Sequence, residues 1–143
     1  MSEKQENFTF EPVFFEKRLT IYGNPISKKN SMRLVSVNGR IIPLPSKQYV
    51  EYEKEALKQL SFQYNDEPID YEVNISCLYF MQTKRKCDLV NLLEATLDVL
   101  VKAKIIADDN HTIVAKHDGC YVTYDKENPR VEIVIKELCP FEV

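Results

Sequence analysis

The side chains best suited to chemistry lie between positions 84 and 110, in the stretch KRKCDLVNLLEATLDVLVKAKIIADDN. Lys84, Arg85 and Lys86 give a compact basic lead, Asp88 follows, and Asp108 and Asp109 close the stretch as an acidic pair. Carboxylates are hard oxygen donors. Two of them, with retained waters and a phosphate, make the shell that Mg²⁺ prefers, and Mn²⁺ accepts the same donors. If Asp108 and Asp109 fold back beside Asp88, acids distant in sequence share one pocket. Each residue also has a plain structural reading. An Asp before a helix is a good cap, Asp-Asp-Asn is a good turn, and a basic triplet is often a solvated loop.

Positioning these groups is the task of the run between them. Leu89, Leu92, Leu93, Leu97, Leu100 and Val101 recur at helical spacing and predict one apolar stripe. Asn91, Glu94, Asp98 and Lys102 fall on the opposite face, and Asp88 occupies the N-cap position. Upstream, Tyr71 to Met81 alternates as a strand and delivers the chain to Lys84. A second helix is predicted from a Ser46 cap to about Tyr64, with Val50, Ala56, Leu57, Leu60 and Tyr64 inward.

Arg18 to Tyr22 alternates as a first strand, and Gly23-Asn24-Pro25 ends it. The loop from Ser27 to Arg33 carries Lys28, Lys29, Asn30 and Arg33, which could touch phosphates. Asn38-Gly39 between two apolar runs predicts a type I′ hairpin, either a projecting ribbon or the edge of a sheet. Asp118-Gly119 gives a similar turn signal between strands at Thr112 to His117 and Cys120 to Tyr124. The last strand runs from Val131 to Leu138, with Val131, Ile133 and Ile135 on one face.

The chain has 143 residues, 44% hydrophobic and 29% charged, which suits one globular domain. We expect a flexible tail over 1–13 and one folded domain over 14–143. The net charge of −3 excludes a broadly basic DNA-coating protein. Nucleic-acid contact must come from local patches and be sensitive to salt. No apolar run is long enough for a membrane helix, and no signal-peptide layout is visible, so a cytoplasmic location with no membrane contact is expected. Cys77, Cys87, Cys120 and Cys139 form no C-x-x-C pair and no zinc set with His111 and His117, and are expected to be free thiols. His111 could approach the acidic pocket as a general acid or be a surface turn residue; His117 reads as structural.

In order, these residues resemble the RusA family of phage and bacterial Holliday-junction endonucleases. The family core runs from basic residues through D-x-D-N-L and a helix to D-D. Lys84, Arg85 and Lys86 match its basic lead, and Asp88, Asn91 and Leu92 its D-x-x-N-L. Asp98, Leu100, Lys102 and Ala103 match the helix, and Ile106, Asp108 and Asp109 the closing pair. Pro25, Ser27, Asn30 and Arg33 resemble the family's lead, and Ser46 and Tyr49 its S-x-x-Y. The family's second acid is Val90 here, and its helix lysine corresponds to Glu94.

Strand, hairpin, helix, strand, helix, then strands give an α+β domain, a mixed sheet with two main helices packed on it. The resemblance implies an endodeoxyribonuclease, a phosphodiester hydrolase that resolves four-way DNA junctions as a homodimer with Mg²⁺, in phage or host recombination and repair. It implies Asp88 and Asp109 as metal ligands, with Asp108 and Glu94 assisting. Lys84, Arg85, Lys86, Lys28, Lys29, Asn30 and Arg33 are implied as DNA contacts. The alternative is a junction-binding protein of the same fold with weakened or silent hydrolysis.

Overall fold

The computed structural model describes residues 15–29 and 32–138. The predicted tail over 1–13, Asn30, and Cys139 with the residues after it lie outside that set.

Alternating apolar side chains build the main sheet. Its strands are β1 (Glu16–Tyr22), β4 (Val73–Met81), β5 (Val114–Lys116), β6 (Tyr121–Tyr124) and β7 (Arg130–Glu137). The order is β1-β7-β4-β5, with β6 also paired to β4. β7 runs antiparallel to both β1 and β4, whereas β5 and β6 run parallel to β4. The sheet is therefore mixed, as the order of elements predicted.

Two helices cover one face. They are α1 (Lys47–Ser61) and α2 (Leu89–Lys102). Leu19, Ile21, Val73, Ile75, Tyr79, Val131, Ile133 and Ile135 from the sheet join Ala56, Leu60, Leu92, Val99 and Leu100 from the helices in a single core. Inside it the Tyr79 hydroxyl lies 2.7 Å from the Thr96 hydroxyl, which also bonds the Leu92 carbonyl. That pair levels the middle of α2 with the end of β4 and leaves no lone polar group in the seam.

α1 ends sooner than the apolar spacing suggests, and its buried face is Tyr49, Ala56 and Leu60; Val50 points outward at 47% exposure. Ser46 caps the helix by accepting the Tyr49 N–H, and the Tyr49 ring is buried. α1 also protects an open strand edge. Gln63 bonds both the N–H (2.9 Å) and the carbonyl (2.7 Å) of Thr20, and Gln59 does the same for Tyr22 (2.7 and 3.0 Å). These side chains occupy backbone groups that β1 would otherwise offer to another chain.

β2 (Met32–Val37) and β3 (Arg40–Pro45) form a separate two-stranded ribbon. Asn38 and Gly39 both take positive φ, 52° and 79°, as a type I′ turn requires. Leu34 and Ile41 on this ribbon are 74% and 71% exposed.

The second predicted hairpin is absent. β5 and β6 do not pair with each other; both continue in one direction along β4. Asp118 and Gly119 form a side excursion in an interrupted edge strand. Asn74 holds it by bonding both the N–H and carbonyl of Asp118, and Ser76 bonds the Gly119 carbonyl. Gly119 has φ of 90°, so the turn signal was real, but pairing to β4 won over pairing within the turn.

Candidate active site

Asp88 caps α2, and its Oδ1 accepts the Val90 N–H at 3.2 Å. Lys84, Arg85, Lys86 and Asp88 are all exposed just ahead of the helix. Lys84 Nζ lies 5.1 Å from the centre of the Tyr124 ring, a cation–π contact that anchors this lead to β6. Cys87, Leu92, Met81, Lys86 and Pro25 line one shallow pocket, which places the start of α2 at the end of β4.

Asp109 stands elsewhere. α2 ends in a Schellman motif: Lys104 takes φ of 60°, and the N–H groups of Lys104 and Ile105 bond the carbonyls of Val101 and Leu100. Ile106 then bridges Ile69, and the Val73 N–H bonds the Ile113 carbonyl at 2.8 Å. The segment bearing Asp108 and Asp109 is thereby fixed at the beginning of β4, whereas Asp88 lies beyond its end. A helix of 14 residues separates the two ends, on the order of 20 Å. The expected return of Asp108 and Asp109 to the start of α2 does not occur within one chain. The bridge to Ile69 carries the segment to the opposite end of the helix.

At that end the acids do interact. Local desolvation, the hydrogen bond and charge of Asp108, and the charge of Asp98 together raise the Asp109 carboxyl above its ordinary range. Asp108 is engaged as a turn builder, with Oδ1 accepting the Asp109 N–H (2.7 Å) and Oδ2 the Asn110 amide (3.0 Å). His111 is exposed in the same turn. Among the described residues, no three His, Cys, Asp or Glu side chains gather at metal-binding spacing. The donor chemistry suits Mg²⁺, and a cation would relieve the crowding of acids at Asp109, but one chain supplies the donors in two separate places.

Asp98 reads in the sequence as part of a polar helix face and of the RusA-like helix, and the structure gives it a partner. Lys28 Nζ lies 3.5 Å from Asp98 Oδ2, and Lys29 Nζ 3.3 Å from Glu94 Oε2. The basic loop after β1 thus lies along the acidic face of α2. The sequence shows the two acids four apart on one helix face, but not that the lysine pair lies against them. Asn24 secures the loop by accepting the Gln82 N–H at 2.9 Å. Arg33 is exposed, with its Nε bonded to the Pro45 carbonyl at 3.2 Å.

The signature of the family described as Endodeoxyribonuclease RusA matches residues 23–136. This chain belongs to the RusA family. It is also 30% identical over 86 residues to the Crossover junction endodeoxyribonuclease RusA of Aquifex aeolicus (strain VF5). That match covers 60% of this chain and 66% of the relative's length, just short of two thirds. The RusA match takes in the basic loop, both helices, and Asp88, Glu94, Asp98, Asp108 and Asp109. No helix among the described residues is long and apolar enough to cross a membrane.

Proposed function

We propose that this chain is a divalent-metal-dependent endodeoxyribonuclease that cuts four-way DNA junctions during recombination and repair. The observation that carries the reading is the RusA match across a region that keeps exposed Asp88 and Asp109, with the exposed basic lead Lys84 to Lys86 beside the first. Asp88 and Asp109 would hold Mg²⁺, with Asp108 orienting Asp109 through its turn bonds. When bound, the ion supplies Lewis-acid stabilisation of the phosphate and a more acidic water. Lys84, Arg85 and Lys86 neutralise the DNA backbone, and Lys28, Lys29 and Arg33 extend that basic track.

The two metal-holding acids stand at opposite ends of α2. A complete site on this reading draws Asp88 from one chain and Asp109 from a second, in a symmetric homodimer with two equal sites. Such a pair suits a junction whose own symmetry calls for paired cuts.

A second reading is favoured by one observation. Val90 is 65% exposed at the position of the family's second acid, and Glu94, at the position of its helix lysine, is paired to Lys29. A chain altered at both positions could bind junctions and leave them uncut. Incubation with a synthetic four-way junction, with Mg²⁺ or with EDTA, separates the readings. Metal-dependent nicking supports the enzyme, and a retarded but uncut junction supports the binder.

A further inference from the structure

A different cluster lies on β4, away from the acidic face of α2. Leu78 pairs with Tyr121 in the parallel β4–β6 ladder, so the residues one step back, Cys77 and Cys120, are cross-strand neighbours. Neighbouring strands run about 4.7–4.9 Å apart, inside the Cα separation that a disulfide spans. Cys77 is fully buried, and Cys120 is half-buried against the core. His117 completes the group. Its Nδ1 lies 2.8 Å from the Ile75 carbonyl oxygen, which fixes the ring.

We propose that Cys120 is an oxidative modification site, a thiol that reacts with hydroperoxides and is then closed into a disulfide by Cys77.

Both neighbours favour the charged form of Cys120. The Cys77 thiol and the His117 ring hydrogen-bond to its sulfur and push its pKa down to about 5. The hydrogen bond to Cys120, with burial, holds Cys77 well above the ordinary thiol range, so it stays protonated as a donor. His117 is raised, chiefly by its bond to Cys120, which favours the imidazolium. As a thiol, Cys120 donates through Sγ to the Ile75 carbonyl at 3.6 Å, a long bond that deprotonation gives up. The other ionisable groups near the pair are Tyr79 on β4 and Tyr52 on α1, both raised chiefly by burial and so neutral. The excursion pinned by Asn74 and Ser76 delivers Cys120 to this position.

The steps balance. The Cys120 thiolate attacks the outer oxygen of a hydroperoxide, an S–O bond forms and the O–O bond breaks. The leaving oxygen takes the proton of His117 and departs as water or an alcohol, so sulfur is oxidised by two electrons and the peroxide reduced. The Cys77 thiol then attacks the sulfenic sulfur, an S–S bond forms and water leaves.

Cys87 is exposed and serves as an internal reference thiol. The reduced chain is treated with equimolar hydrogen peroxide at neutral pH, alkylated and peptide-mapped. The expected product is a Cys77–Cys120 disulfide with Cys87 still alkylated. In Cys77→Ser the oxidation stops at a Cys120 sulfenic acid that dimedone traps. His117→Gln slows Cys120 oxidation by about tenfold or more, through loss of the proton donor. Iodoacetamide at pH 6.5 labels Cys120 of the unaltered chain faster than Cys87. Equal or faster oxidation of Cys87, or equal labelling of the two thiols in the unaltered chain, overturns the proposal. Neither of those readings requires a variant to fold.

Discussion

Lys29 Nζ lies 3.3 Å from Glu94 Oε2, so the basic loop after β1 lays a cation against the exposed acidic face of α2. Both side chains are more than half exposed, and such a pair contributes at most about 0.5 kcal/mol to stability. On the proposed function, its larger effect is on DNA binding. Glu94→Gln is expected to leave the thermal midpoint within about 2 °C. It should steepen the salt dependence of junction binding by about one unit in log affinity against log salt, because Lys29 is freed for a phosphate. An unchanged slope would mean that Lys29 does not reach DNA.

Val90 offers a second test. It is 65% exposed, one residue into α2, with its N–H already bonded to Asp88 Oδ1 at 3.2 Å. An acid there removes nothing from the core. Val90→Asp is expected to fold normally and raise the single-turnover nicking rate about tenfold, equivalent to roughly 1.4 kcal/mol of barrier. An unchanged rate would show that the missing acid does not limit the reaction.

The separation of Asp88 from Asp109 along α2 makes a quantitative prediction. Asp88→Asn and Asp109→Asn should each abolish nicking alone. In the proposed homodimer, mixing the two in equal amounts with subunit exchange gives half of the dimers both variants, and each of those keeps one site with both acids. The mixture should recover about a quarter of the unaltered activity. No recovery after proven subunit exchange would place both acids of a site in one chain.

Lys104 tests the turn that sets this separation. Its φ of 60° is the left-handed conformation that glycine adopts without strain, and the Schellman bonds fix it there. Lys104→Gly should stabilise the protein by about 1 kcal/mol and raise the thermal midpoint by about 2–4 °C. A lowered midpoint would mean that the lysine side chain contributes more than its backbone strain costs.

Local chemistry was legible in the sequence wherever one residue type decides the outcome. Asn38-Gly39 made its hairpin because only a type I′ turn suits that pair between apolar strands. Asp88 and Ser46 each cap the helix that follows. The period-two runs at Val73 and Val131 became the two strands buried most deeply. Legibility failed where a distant partner decides. Asp118-Gly119 looks like a hairpin turn until Asn74 and Ser76 on β4 take its backbone groups. Asp108 and Asp109 looked free to return to Asp88 until Ile106 found Ile69. Lys28 and Lys29 read as candidate phosphate contacts, and their pairing with Asp98 and Glu94 emerged only where α2 lies beside the loop. In each case the missing information was which element lies alongside, and neither periodicity nor capping carries it.

The central claim is hydrolysis of branched DNA by the acids of this chain with a divalent ion. The most direct measurement is cleavage of an end-labelled synthetic four-way junction by the unaltered protein and by Asp109→Asn, each with Mg²⁺ and with EDTA. The account predicts paired nicks near the branch point with the unaltered protein and Mg²⁺, none with EDTA, none with Asp109→Asn under either condition, and a retarded junction for both proteins at low salt. A junction that is bound but uncut by the unaltered protein in Mg²⁺ and in Mn²⁺, or cut equally by Asp109→Asn, would contradict it.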